Sequence, residues 1–121
     1  MIPFPLNKSC SLRSSSEIDA VFKNGKKISS NLISLYYLKS SNPKMRFAFS
    51  VGKKSHKLAS TRNKLKRLMK EAFRLNAKDF VEQHLCYDFV FVYFGSDKVN
   101  FKDLEQSMKS LLLSFQTKNL S

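Results

Sequence analysis

The stretch Arg62-Asn63-Lys64-Leu65-Lys66-Arg67-Leu68-Met69-Lys70-Glu71-Ala72-Phe73-Arg74 decides how the rest of the chain is arranged. With Arg62 at zero and about 100° per residue, Leu65, Leu68, Met69, Ala72 and Phe73 fall in one arc centred at about 300°. Arg62, Lys66, Lys70, Arg74 and Arg67 lie between about 0° and about 140°, with Asn63 among them. The stretch is therefore a helix with an apolar side that must be covered and a cationic side that need not be. At about 1.5 Å of rise per residue it is roughly 18 Å long, and cations on one side recur about every 6 Å. That is near the spacing of successive phosphates in a nucleic-acid strand. The helical pattern follows the basic loop Gly52-Lys53-Lys54-Ser55-His56-Lys57 and continues to about Phe80.

Upstream, Arg46 to Val51 alternates, with Phe47, Phe49 and Val51 on one side and Arg46, Ala48 and Ser50 on the other, as a half-buried strand does. The preceding Ser40 to Lys44, with Asn42-Pro43, reads as a turn and predicts a hairpin with the strand-forming run Lys27 to Leu38, itself one or two strands. Before that, Ser14 and Glu17 have capping-box spacing. Ile18, Val21 and Phe22 then form an apolar stripe that stops at Asn24-Gly25, where glycine suits a left-handed helix end. Downstream, Tyr87 to Phe94 is a nearly continuous apolar run, read as a buried strand ended by Gly95-Ser96-Asp97. Phe101, Leu104, Met108, Leu111, Leu112 and Phe115 recur at helical spacing and predict a closing helix. The order is helix, strands, helix, strand, helix, an α+β pattern. A length of 121 residues suits one domain, and residues 1–10 and 117–121 are expected to be loose ends.

Charge points to the partner. The chain has 22 Lys and Arg against 9 Asp and Glu, a formal net charge of +13. No carboxylate occurs between Asp19 and Glu71, where well over half of the cations lie. Such a stretch cannot neutralise itself, so counterions or a phosphate backbone must meet its field. Solvated basic helix faces are common, but they are usually interleaved with Glu or Asp. Here Glu71 alone interrupts the row up to Arg74.

Other classes fit less well. Cys10 and Cys86 lack metal-ligand spacing, so neither a zinc site nor a disulfide framework is expected, and a reduced cytoplasm suits them. No apolar run approaches membrane-span length, and residues 1–10 carry no signal-peptide core. His56 and His84 do not suggest the acid–base pair of a self-sufficient nuclease: His56 is read in a basic loop without a carboxylate partner, and His84 beside a buried strand. A general RNA- or DNA-binding module using the same helix remains the alternative.

The motifs Ser50-Val51-Gly52-Lys53-Lys54, Arg62-Asn63-Lys64-Leu65-Lys66-Arg67 and Glu71-Ala72-Phe73-Arg74 resemble the signature of the ribonuclease P protein family. Leu12-Arg13, Val21-Phe22-Lys23-Asn24-Gly25 and Tyr36 extend the resemblance over most of the chain in the same order. The chain departs from the family at two places. Lys64 stands third in what is there an arginine-asparagine-arginine triplet, giving up the guanidinium's planar fork. Ile18 stands where an aromatic is common.

The resemblance implies a two-layer α/β sandwich with a mixed four-stranded sheet and the long basic helix in a left-handed crossover. It implies a protein subunit of an RNA enzyme that removes the 5′ leader of precursor tRNA, one protein to one RNA. Mg²⁺ would be bound mainly by the RNA, with no catalytic residue and no metal ligand in the protein. Lys53, Lys54, Arg62, Asn63, Lys64, Lys66, Arg67, Lys70 and Arg74 would then contact the catalytic RNA. Ile18, Phe22, Tyr36, Ser50 and Lys53 would contact the single-stranded leader, since aromatic faces stack on any base. Phe22 fits either that role or plain core packing.

Overall fold

The computed structural model describes residues 15–39, 46–52, 56–76 and 87–119, with side chains of the last helix described to residue 115. Among them run α1 (Ser15–Asn24), β1 (Lys26–Ser29), β2 (Ile33–Lys39), β3 (Arg46–Val51), α2 (Ala59–Asn76), β4 (Tyr87–Tyr93) and α3 (Phe101–Asn119), in the predicted order. The predicted extension of α2 to Phe80 lies outside the described residues, as do Ser14, residues 1–10 and the turn at 40–44. At the other end α3 runs on to Asn119, into the tail expected to be loose. That helix starts where the Asn100 side-chain oxygen accepts a hydrogen bond from the Asp103 amide at 2.8 Å, pairing a donor that a helix start leaves free.

The four strands lie in the order β1-β2-β4-β3. β1 pairs antiparallel with β2, Ser29 opposite Ser34. β2 pairs antiparallel with β4, Tyr36 opposite Val90, and β3 pairs parallel with β4, Phe49 opposite Phe91. The hairpin predicted across Asn42-Pro43 is therefore not formed. β4 lies between β2 and β3, and the tight hairpin joins β1 to β2. Alternation fixes which side chains share a face but not which strands are neighbours. The strand with apolar residues on both faces takes the centre.

Ile33, Leu35, Tyr37, Phe47, Val51, Phe89, Phe91 and Tyr93 line one sheet face, where they meet the apolar stripes of α2 and α3. Phe73 of α2 sits with its ring centroid 4.8 Å from that of Phe47 and 5.2 Å from that of Phe91. Sheet and α2–α3 layer make the two-layer sandwich. α1 rests on the opposite face, where Val21 meets Val90 among Ile18, Tyr36, Leu38, Ala48 and Val92. The buried Ser107 of α3 accepts the Leu32 amide at 3.3 Å and bonds Ser30, fixing α3 to the β1–β2 turn. Gly25 does not adopt the left-handed conformation predicted for it. Close approach explains it instead: an added Cβ would lie 2.4 Å from the Val21 carbonyl oxygen and 2.5 Å from that of Tyr37.

Two stability measurements check this packing. Phe73→Ala is expected to lower the unfolding free energy in urea by about 3–5 kcal/mol, and a loss below about 1 kcal/mol would mean that α2 does not seal the sheet. Gly25→Ala is expected to lower the urea midpoint. Gly52→Ala, with nothing among the described residues within 4 Å of an added Cβ, should leave it near its starting value.

Candidate nucleic-acid interface

α2 divides as its wheel requires. Leu65, Met69, Ala72 and Phe73 are buried, while Asn63, Lys64, Arg67 and Lys70 are exposed and Arg62, Lys66 and Arg74 are half-buried. No carboxylate among the described residues pairs with Lys64, Lys66, Arg67 or Lys70. Arg74 differs, because Glu71 one turn back accepts from its Nη2 and Nε. That hydrogen bonding, more than the charge itself, holds the guanidinium above its ordinary value.

Arg62 is committed to the chain. Its Nη1 donates to the carbonyls of His56 and Lys57, both at 2.8 Å, so the guanidinium ties the helix to the loop that enters it. His56 corrects the expectation of a loop histidine without a carboxylate: it is buried, and its Nδ1–H donates to Asp97 Oδ1. The partner lies 41 residues downstream, beyond any local spacing rule. Lys53 and Lys54, and His84, lie outside the described residues.

The second predicted group lies on the other sheet face, beside α1. Phe22 is 39% exposed and meets Tyr36 at right angles, with ring centroids 4.8 Å apart. Phe22 is thus neither plain core nor free: one part of its ring is packed and another is open. Lys27 of β1 holds its Nζ 5.5 Å from the Tyr36 ring centroid, a cation–π contact that sequence spacing did not suggest. Ile18 is half-buried, packed in the cluster that α1 forms with the sheet. Ser50 is half-buried on the same face as Tyr36, but it stands on β3 and Tyr36 on β2. With β4 between them, the two are roughly 10 Å apart across the sheet.

At the end of the same face, Arg46 Nε and Nη2 donate to the two Asp88 oxygens, both at 3.0 Å, and its Nη1 pairs with Glu17 of α1 at 2.6 Å. The hydrogen bonds that it donates to Asp88 hold this guanidinium above its ordinary value against the opposing effect of burial. Arg46 therefore fastens α1 to the sheet and leaves the pool of cations available to a partner. Its signal was Asp88 itself, a carboxylate inside an apolar strand, which needs a cation beside it.

Among the described residues no group of three or more His, Cys, Asp or Glu could hold a metal ion, and no helix is long and apolar enough to cross a membrane. What the chain offers is a cationic helix face on one side of the sheet and an aromatic, cation-flanked patch on the other. Sequence and structure comparisons agree on where such a molecule belongs. The family model for ribonuclease P matches residues 6–116. The ribonuclease P protein component of Clostridioides difficile is 37% identical over 107 residues, covering 88% of this chain and 91% of that protein. Its counterpart in Clostridium botulinum is 39% identical over 103 residues, covering 84% and 89%. Among solved structures, the RNase P protein from Thermotoga maritima superimposes with a TM-score of 0.71 at 26% identity, covering 84% of this chain and 94% of that one. A Staphylococcus aureus RNase P protein mutant reaches a TM-score of 0.75 at 20% identity over 90% of each chain, a likeness of fold. With that match over nearly its whole length, the chain belongs to the ribonuclease P protein family.

Proposed function

We propose that the chain binds the catalytic RNA of ribonuclease P through α2 and the 5′ leader of precursor tRNA through the patch between α1 and the sheet. It thereby assists removal of the leader in the cytoplasm, at one protein per RNA. The observation that carries this reading is the exposed row Lys64, Arg67 and Lys70 with Asn63, together with half-buried Lys66, unanswered by any described carboxylate. Lysine and arginine supply the sequence-independent part of RNA affinity by releasing counterions. Asn63 adds a neutral donor and acceptor for a phosphate, a 2′-hydroxyl or a base edge. Lys53 and Lys54, in the loop before α2, would extend this surface, and Arg62 would act through the loop it holds as well as by its charge.

On the other face, the open part of Phe22 suits one unpaired base, with Tyr36 bracing the ring and Lys27 near enough to meet the next phosphate. Ile18 and Ser50 would border the path of the leader. Binding the leader favours precursor over product, since only the precursor has one. Hydrolysis itself is assigned to the RNA, whose bound Mg²⁺ would supply the activation of water. This chain's residues hold, orient and screen charge between two RNAs.

The deciding experiment adds the protein to the cognate catalytic RNA at low Mg²⁺ and measures cleavage of a precursor tRNA. Stimulation is expected with a leader present. Its absence would favour a general nucleic-acid-binding module. Arg67→Ala is expected to reduce the slope of log affinity against log salt for the catalytic RNA by about 0.7 to 0.9, and an unchanged slope would remove this residue from the interface. Phe22→Ala is expected to weaken binding of leader-bearing precursor by about 1–3 kcal/mol and to spare leaderless tRNA. Equal losses on both substrates would return Phe22 to a packing role.

A further inference from the structure

The residues that enter α2, 56–58, are held at the side chain of His56. His56 is 2% exposed, and its ring centroid lies 5.6 Å from that of Tyr93. Its Nδ1–H donates to Asp97 in the β4–α3 loop. Its amide donates to the Gly52 carbonyl at 3.1 Å, and its own carbonyl accepts from Arg62 Nη1 at 2.8 Å. The Tyr93 hydroxyl in turn donates to the Ser96 carbonyl at 2.6 Å, which holds the loop bearing Asp97 against the end of β4. Contacts thus run without a break from Tyr93 through Asp97 and His56 to the guanidinium at the first turn of α2.

Volume alone does not account for a histidine here. Its Nε2 is buried with no hydrogen-bond partner among the described residues, a desolvation cost that an apolar side chain of similar size avoids. What an apolar side chain lacks is the directed bond to Asp97. That bond spans two segments that no other described side-chain hydrogen bond joins.

We propose that His56 and Asp97 form a clasp that orders the entry to α2 before RNA arrives, making His56 a positioning residue for RNA binding through Arg62. The inference rests on the assignment of α2 to RNA. A loop already held in its bound form does not incur the ordering cost when the complex forms, so affinity rises without an added contact. The same number of phosphates is neutralised with or without the clasp, so the salt dependence is unchanged while affinity shifts at every salt concentration.

The test measures affinity for the catalytic RNA across a salt series. Asp97 is a carboxylate, 58% exposed, on a protein that binds a polyanion, so electrostatics alone makes Asp97→Ala bind more tightly. The clasp makes it bind more weakly, by about tenfold, with an unchanged slope. His56→Ala should show the same loss, and the double variant should be no weaker than either single one. Asp97→Asn, which keeps an acceptor oxygen for Nδ1–H, should recover most of the affinity. Should His56→Ala fail to fold, the exposed position 97 still decides the matter. Tighter binding by Asp97→Ala, or additive losses in the double variant, would overturn the clasp while leaving the RNA assignment intact. A wild-type chain that neither binds the catalytic RNA nor stimulates cleavage would instead remove the assignment itself.

Discussion

The parallel pairing of β3 with β4 is the constraint from which the arrangement of this molecule follows. Two parallel neighbours cannot be joined by a tight turn, so the chain must leave the end of β3 and cross back along the sheet before β4 begins. α2 lies on that return path. Its apolar stripe is pressed on the sheet through Phe73 against Phe47 and Phe91. A helix fixed on one side by aromatic packing presents its other side to solvent in a set orientation. Lys64, Arg67 and Lys70 are thus carried by a helix packed on the sheet rather than by a loop, which would limit the entropy lost if several phosphates bound together.

Because α1 takes the opposite face of the same sheet, the two candidate RNA surfaces are separated by one layer of backbone. β4 contributes to both: Phe89 and Phe91 face α2, while Val90 meets Val21 of α1. Movement of α1 over the sheet would open or close the patch around Phe22 and Tyr36. Arg46, bonded to Asp88 on β4 and Glu17 on α1, resists that movement at the end away from the two rings.

The faces of the elements were legible in the sequence and their neighbours were not. Helical spacing in residues 62–74 and alternation in residues 46–51 report which side chains point the same way, and the structure agrees on Leu65, Met69, Phe73, Phe47 and Val51. The same patterns are silent on pairing, so a hairpin across Asn42-Pro43 was the natural but mistaken reading. Gly25 was likewise read from a local rule for helix ends, whereas a neighbouring strand, 12 residues on at Tyr37, leaves no room for a side chain there. The candidate site shows the same division. Phe22 and Tyr36 come together as expected, but the contacts of Lys27, Arg46 and His56 depend on topology and carry no spacing signal.

Charge pairing in the fold follows burial more than composition. The described cations that ion-pair through arginine, Arg46 and Arg74, are both half-buried, and Arg62, also half-buried, is satisfied by carbonyl oxygens. An unpaired charge at such positions would lose part of its hydration without replacement. Lys66 is half-buried too, but its long apolar stem can pack while the ammonium stays in water. At the exposed Lys64, Arg67 and Lys70, water supplies the hydration, and what remains is mutual repulsion along one helix face. The chain has nine carboxylates, but among the described ones Glu17 and Asp88 meet Arg46, Asp97 meets His56, Glu71 meets Arg74 and Glu105 accepts from Asn76 at 3.0 Å, so none of these relieves it by pairing. Repulsion left standing on a rigid face is relieved by any polyanion that docks there, and the relief adds to binding in proportion to the number of phosphates matched.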